Sequence, residues 1–96
     1  MAEEPPISKH LHDFLQKREP PKTFCPSEVA RSLSDTELDT EGVSEWRDLM
    51  PRIRELAWEK RDQGVLEILQ KGVVLDSSIT QENIKGPIRL RRISDS

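Results

Sequence analysis

The side chains with the clearest binding chemistry belong to one segment in the middle of the chain. On a helix at about 100° per residue, Arg47, Arg54, Trp58 and Arg61 lie on the side opposite the apolar stripe. Arginine donates to phosphates and base edges, and both residue types are common anchors of protein interfaces. The segment therefore predicts a surface that contacts a nucleic acid or a protein partner.

Trp58 allows two interpretations at this stage. Large aromatic side chains are rarely left bare, so Trp58 could pack beneath the N-terminal arm, the acidic loop or the C-terminal hairpin. Alternatively, it could be an exposed anchor for a partner, with Arg54 and Arg61 beside the ring.

Three basic residues further along the chain extend the candidate surface. Lys71 and Lys85 fall in the loops of a predicted C-terminal hairpin, where they could contact a phosphate backbone. Arg89 begins the densest basic patch of the chain. The predicted contact residues for a nucleic acid or a partner are therefore Arg47, Arg54, Trp58, Arg61, Lys71, Lys85 and Arg89.

The acidic residues argue against strong nucleic-acid binding. The net charge is −3, and the pI of about 5.4 lies below the range typical of DNA-binding domains. Asp48, Glu55, Glu59 and Asp62 share or border the arginine face, and carboxylates repel phosphates. If the chain binds double-stranded DNA, we expect a weak and salt-sensitive affinity.

Two functional hypotheses follow. The first is a regulatory DNA-binding module, and the alternative is a protein-interaction module that presents Trp58 and its neighbouring arginines. A continuous positive surface around Arg54 and Trp58 would favour DNA, whereas a mixed patch with an apolar centre would favour a protein.

Signals for catalysis, metals and cofactors are missing from the sequence. It contains no Tyr, two His and one Cys, and it has no Gly-rich phosphate loop. His10 and His12 fall on different faces of a predicted helix, so we expect both to face solvent and neither to bind metal. Cys25 could be reactive just before a helix, but a small buried or capping residue is the preferred interpretation. We therefore expect no enzyme activity.

The element that positions the arginines is predicted to be the third helix. Its buried stripe is Trp46, Leu49, Ile53, Leu56 and Ala57, with Met50 at the edge. Ser44 is a plausible N-cap and Gly64 a plausible end. Because Pro51 would disrupt the interior of a helix, we expect a boundary or kink there and a regular helix from about Met50 to Asp62.

Shorter elements surround this helix. Apolar spacing predicts a first helix over about 7–18, and Pro26 opens a second helix over about 26–33. The acidic stretch 34–43 is predicted to be a mobile loop. Branched residues predict strands at 65–70 and 88–93, with a turn at Lys71-Gly72, a continuation at 73–75 and a polar loop between.

Three helices followed by a β-hairpin form the winged-helix pattern, so the predicted fold class is α+β. Residues 7–93 make the domain, with a disordered tail at 1–6 and a loose tail at 94–96. In a helix-turn-helix arrangement, the second predicted helix precedes the third, and the third would enter the major groove of DNA while the hairpin forms the wing.

The chain resembles a family of small uncharacterised proteins, a domain of unknown function that is expected to be a winged helix. The resemblance spans about Phe24 to Arg91 and is carried by Cys25-Pro26-Ser27-Glu28-Val29-Ala30-Arg31, Trp46-Arg47 with Leu49-Met50-Pro51 and Arg54, Gln70-Lys71-Gly72, and Gly86-Pro87-Ile88-Arg89-Leu90. The chain departs from the family in its longer acidic stretch at 34–43. The resemblance implies a fold and no activity.

Composition limits the cellular setting and the assembly. A single Cys and the absence of a targeting signal favour an intracellular protein, cytoplasmic or nuclear. No apolar run is long enough to cross a membrane. Because the chain has no helix to spare for dimerisation, we expect a monomer.

Overall fold

Residues 4–93 are described in the computed structural model, and they form four α-helices, two short 3-10 helices and three strands. The chain is therefore α+β, as predicted, but these residues contain four α-helices where three were predicted. The helices are α1 (Pro6–Lys17), α2 (Pro26–Arg31), α3 (Asp35–Thr40) and α4 (Met50–Asp62), the 3-10 helices are Trp46–Leu49 and Gln81–Asn83, and the strands are β1 (Leu66–Gln70), β2 (Val73–Val74) and β3 (Arg89–Arg92).

Pro51 sets the beginning of the longest helix. A 3-10 helix over Trp46–Leu49 leads directly into α4, and Pro51 occupies the first turn of α4. A proline costs nothing there, since its missing N–H would have no partner within the helix. The expected boundary is confirmed. The chain leaves the helix through Gly64, whose φ of +79° is a conformation that glycine adopts without strain.

The strands form one antiparallel sheet in the order β2-β1-β3. Leu69 is paired with Val74 across the β1–β2 turn, and Ile68 is paired with Leu90 in β3. Phe24 continues the sheet beyond β3, because it exchanges backbone hydrogen bonds with Leu90 at 2.9 and 2.7 Å. The predicted hairpin is present, and Val73–Val74 adds a separate short strand.

The core lies between the helices and the inner face of the sheet. On α4 the buried side chains include Leu49, just before the helix, and Ile53 and Ala57, as the predicted stripe requires. The sheet contributes three fully buried side chains, and α1 contributes one side chain from each turn of its apolar face. This set is Leu66, Ile68 and Leu90 from the sheet, and Ile7, Leu11 and Leu15 from α1.

The acidic stretch is partly helical, so its prediction as a mobile loop was wrong. Ser34 caps α3, because its hydroxyl accepts from the Glu37 N–H at 3.2 Å and its own N–H donates to Glu37 at 2.9 Å. This reciprocal pair is a capping box, which the Ser-x-x-Glu spacing encodes. Leu38 is buried and joins the short helix to the core.

His10 lies at a contact between helices, so the expectation that it faces solvent was also wrong. Its Nδ1 lies 2.8 Å from the hydroxyl of Ser32, and its Nε2 lies 2.9 Å from Glu37 Oε2. The imidazole thus connects α1 to α3 and to Ser32, the C-cap of α2. His12, by contrast, is exposed.

The terminal tails predicted at 1–6 and 94–96 fall largely outside the described residues, since positions 1–3 and 94–96 are not described. Within the described part, helical structure already begins at Pro6.

The Glu37 carboxylate should contribute stability at neutral pH and lose that contribution in acid. The Ser34 N–H and the His10 side chain hold the pKa of Glu37 below its ordinary value of 4.5. A carboxyl with a lowered pKa stabilises the fold above its unfolded pKa, and the contribution is lost as pH falls through the folded value. We expect Glu37→Gln to lower the free energy of unfolding more at pH 7 than at pH 3, as measured by urea denaturation.

Asp39→Asn is the matched control, because Asp39 is an exposed carboxylate on the same short helix. A Glu37→Gln effect that is independent of pH would contradict the assignment.

Candidate functional site

Trp58 is buried, with 6% of its surface exposed. Its indole N–H donates to the carbonyl oxygen of Ile79 at 3.0 Å. The polar loop between β2 and β3 therefore covers the ring. The hypothesis that Trp58 is presented to a partner is wrong, and the alternative that it packs beneath another part of the chain is correct.

Arg61 holds the same loop. Its guanidinium donates to the carbonyl oxygens of Ile79 at 2.6 Å and Ser77 at 3.2 Å, and it also contacts the carboxylate of Asp62 at 3.1 Å. The guanidinium carbon lies 5.7 Å from the centre of the Trp58 ring. Both terminal nitrogens of Arg61 donate inside the chain, while its Nε is buried without a partner, so this arginine fixes the loop.

Arg54 and Gln70 fix the end of that loop. Arg54 donates to the carbonyl oxygen of Gly86 at 3.1 Å. The Gln70 amide donates to the carbonyl oxygens of Lys85 at 2.8 Å and Pro87 at 3.4 Å. These bonds hold the segment before β3 against the β1–β2 turn.

A groove of about 450 Å³ lies between these two segments. We call it the basic groove, and its lining residues are Gln70, Lys71, Gly72, Lys85, Gly86, Pro87 and Arg89. The two turn residues have positive φ, +52° at Lys71 and +81° at Gly72, which is typical of a tight hairpin turn. The side chains of Lys71, Lys85 and Arg89 are exposed.

Arg89 forms one side of the basic groove and is held by Thr23, the residue before Phe24. Its Nε donates to the hydroxyl of Thr23 at 2.9 Å, and a terminal nitrogen donates to the Thr23 carbonyl at 3.0 Å. A guanidinium fixed at two points loses little conformational entropy when it also contacts a ligand.

The basic groove differs in charge from other cavities of the surface. Its lining includes no carboxylate among the described residues. Four other cavities, of about 260 to 370 Å³, each have at least one Asp or Glu in the lining. In a chain with a net charge of −3, this concentration of positive charge is local.

A family model matches residues 4–93, and its description is protein of unknown function (DUF3253). The chain belongs to the DUF3253 family. No curated protein matches the chain. Membership of DUF3253 agrees with the expectation of a small uncharacterised domain.

The seven predicted contact residues of this DUF3253 domain fall into three places. Lys71, Lys85 and Arg89 line the basic groove, and Arg54 supports its wall. Trp58 and Arg61 anchor the loop.

Arg47 is the exception and lies in a separate patch. Its guanidinium carbon lies 5.4 Å from the Trp46 ring centre, and that of Arg31 lies 5.7 Å from the same ring. Arg47 therefore does not join the other predicted contact residues.

Gln70 was missed as a functional residue. Its amide bridges two carbonyl groups across the basic groove, a role that depends on contacts over 15 and 17 positions of the chain. The Gln70-Lys71-Gly72 and Gly86-Pro87-Ile88-Arg89 segments were noted separately, and the fold places them on opposite walls.

Cys25, for which a small buried or capping residue was the preferred interpretation, lies outside the basic groove. Cys25 is the N-cap of α2, where its N–H donates to Glu28 at 2.7 Å and its Sγ accepts from the Ser27 hydroxyl at 3.1 Å. Burial acts to raise the pKa of Glu28, but the Cys25 N–H and the Arg18 guanidinium outweigh it and hold that pKa below its ordinary value.

Within residues 4–93 no group of His, Cys, Asp and Glu side chains could hold a metal ion. No helix in the same range is long and apolar enough to cross a membrane.

Replacing Arg61 should release the loop. We expect Arg61→Met to speed amide hydrogen exchange over residues 76–80 and to lower the free energy of unfolding by about 2 kcal/mol, since hydrogen bonds to charged groups are lost. Exchange mass spectrometry and urea denaturation measure the two effects. Arg47→Met is the control, because exposed Arg47 stacks on Trp46 far from the loop in sequence. Equal exchange in both variants would contradict the anchoring role.

Proposed function

We propose that this domain is a protein-interaction module of winged-helix type, and that its basic groove binds an acidic segment of a protein partner. The observation that carries the proposal is a groove with three exposed cationic side chains and no carboxylate, in a chain that is acidic overall. The winged-helix assignment is supported by α1, α2 and α4 followed by the antiparallel pair of β1 and β3, with the short α3 inserted between α2 and α4.

The lining of the basic groove suits a peptide better than a bare phosphate chain. Gly72, Gly86 and Pro87 offer an apolar centre without long side chains, and the cations stand around it. A bound segment could place an apolar side chain in the centre and carboxylates against Lys71 and Lys85. Interfaces commonly combine an apolar centre with a polar rim, and charge complementarity aids recognition.

The arginines of α4 are poorly placed for reading DNA. Arg54 and Arg61 donate to backbone carbonyl groups of the loop that precedes β3. The exposed positions of the same helix include Glu55, Glu59 and Asp62, which would repel phosphates. These contacts weigh against a recognition helix in the major groove, and they leave the cations of the basic groove as the route by which DNA would bind.

The proposal is of a binding module rather than an enzyme. Among the described residues that line the groove there is no His, Cys, Ser, Asp or Glu. Acid–base or nucleophilic catalysis commonly uses one of these groups with a partner in hydrogen-bond reach.

An NMR titration of labelled protein tests the proposal. The probes are a short peptide of Glu, Asp and Leu residues, its counterpart with Lys in place of the acids, and a short mixed-sequence DNA duplex. We expect the acidic peptide alone to shift the amide signals of residues 70–72 and 85–89, with shifts that fade as salt is added.

Reversing charge in the basic groove should weaken that binding. We expect Lys71→Glu/Lys85→Glu to lower the affinity for the acidic peptide by about tenfold or more, because attraction becomes repulsion at two positions. Lys9→Glu/Lys17→Glu is the control, since it makes the same change in net charge at two exposed positions of α1. A loss of similar size in both variants would show only the effect of net charge.

The other outcomes of the titration are also informative. A spectrum that stays unchanged with the acidic peptide at low salt would overturn the proposal. Tighter binding of the duplex than of the peptide, with shifts at the same residues, would instead assign the basic groove to nucleic acid.

A further inference from the structure

Three segments of the chain meet at the imidazole of His10 in α1. Its Nδ1 lies 2.8 Å from the hydroxyl of Ser32, the C-cap of α2, and its Nε2 lies 2.9 and 3.1 Å from the two carboxylate oxygens of Glu37 in α3. We call these three side chains the His10 clasp. A neutral imidazole has one N–H and one bare nitrogen, so the hydrogens of the partners decide the charge of the ring.

The hydroxyl of Ser32 has already used its hydrogen. Its oxygen lies 2.6 Å from the carbonyl oxygen of Val29. A carbonyl group can only accept, so the hydroxyl hydrogen of Ser32 lies between these two oxygens. The hydroxyl therefore faces His10 with a lone pair. It follows that Nδ1 of His10 is the donor in this contact and carries a hydrogen.

Glu37 requires a hydrogen on the other ring nitrogen. The Ser34 N–H and the His10 side chain hold the pKa of Glu37 below its ordinary value of 4.5, so the carboxyl is ionised at neutral pH. An ionised carboxylate can only accept a hydrogen bond. Nε2 of His10 therefore also carries a hydrogen, and a ring with hydrogens on both nitrogens is an imidazolium cation.

His12, two residues further along α1, receives the opposite assignment. Its Nε2 lies 2.9 Å from the side-chain nitrogen of Gln16. An amide nitrogen only donates, so Nε2 of His12 accepts and carries no hydrogen. A ring with one bare nitrogen is neutral. The same helix thus has one histidine whose contacts require a charge and one whose contact requires a neutral ring.

We propose that the His10 clasp is a pH-sensitive switch, in which protonated His10 holds α3 to α1 and loss of its proton releases the first turn of α3. Histidine side chains change charge between about pH 5 and 8, so the switch works in the physiological range. The stability that an imidazolium contributes is present at the acidic end of that range and is lost as pH rises. Strong acid also opens the clasp, because it protonates Glu37.

Loss of the proton has a defined structural cost. A bare Nε2 would set its lone pair against the Glu37 carboxylate, so the neutral ring keeps its hydrogen there. Nδ1 is then bare, and the Ser32 hydroxyl must turn towards it and leave the Val29 carbonyl. That carbonyl still accepts the Ser32 N–H at 3.2 Å, so the end of α2 is retained. The attraction between opposite charges is lost, which loosens the contact between α1 and α3.

Other charged groups of α1 and α2 do not replace Glu37. The charged side chains of α1 that line the same cavity as His10 are Asp13, Lys17 and Arg18. On α2, Glu28 pairs with Arg18 at 3.1 Å, and Arg31 stacks on Trp46. Within residues 4–93, none of these groups is in hydrogen-bond contact with the imidazole, whereas Glu37 is.

The remaining carboxylates of α3 have other surroundings. Asp35 and Asp39 line a separate cavity beside Val43. Glu41 accepts from the Ile7 N–H at 3.3 Å and pairs with Arg52 at 3.1 Å. The contacts of Glu41 do not involve His10, so they keep the end of α3 against α1 when the clasp opens. Opening should therefore be confined to the first turn of α3.

The ring nitrogens report the two charge states directly. A long-range ¹H–¹⁵N correlation spectrum of the uniformly labelled chain distinguishes protonated from bare nitrogens. At pH 7 we expect two protonated nitrogens in His10 and one in His12. A bare nitrogen in His10 at pH 7, or identical titration of the two rings, would overturn the proposal.

Amide hydrogen exchange tests the release of α3. Raising the pH from 6 to 8.5, after correction for the intrinsic exchange rate, should lower the protection of residues 34, 37 and 38 by about fivefold, the scale of a partly exposed ion pair. The protection of α4 should not change. We expect His10→Gln to give the low protection at both pH values, because glutamine cannot be charged.

His12→Gln is the matched control, since it removes a histidine from the same helix outside the clasp. It should keep the pH dependence of the wild type. An unchanged pH dependence in His10→Gln, or its loss in His12→Gln, would contradict the proposal. The ring-nitrogen spectrum needs only the wild-type chain, so it decides the matter even if His10→Gln fails to fold.

Discussion

The path of the chain between β2 and β3 depends on side-chain donors of α4. Residues 76–87 contain only one 3-10 turn of their own, over Gln81–Asn83. Trp58 and Arg61 both donate to the Ile79 carbonyl, and Arg54 donates to the Gly86 carbonyl. A charged donor to a buried or half-buried carbonyl is among the stronger hydrogen bonds of a protein. The helix thus fixes a segment that has little regular structure.

That constraint explains why three residues first considered for binding are structural. An arginine can serve a partner only if its donors are free, and the guanidinium of Arg61 is used by backbone oxygens and by Asp62. In return, the fixed segment becomes one wall of the basic groove. The cations on that groove are therefore held in position by residues that do not themselves need to contact a ligand.

The sequence was most informative where structure is local. Pro51 and the apolar spacing after it predicted α4 with its correct bounds, because helix limits depend on nearby residues. Ser34 and Glu37 carried an equally local signal for α3, but the acidic composition of that stretch obscured it.

The burial of Trp58 could not be read from a helical wheel, since the ring is covered by a loop 21 residues away along the chain. Lys71 and Lys85 line the same groove although they are far apart in sequence, so their proximity could not be predicted from local patterns either. Membership of DUF3253 adds a family and no activity, because a fold does not determine a function.

The hydrogen bonds between Phe24 and Leu90 have a consequence for assembly. They cover the β3 edge of the sheet at Leu90, near the middle of a four-residue strand, and the opposite edge, β2, is only two residues long. Neither edge offers a long unpaired strand to another chain, so growth of the sheet by edge addition is disfavoured.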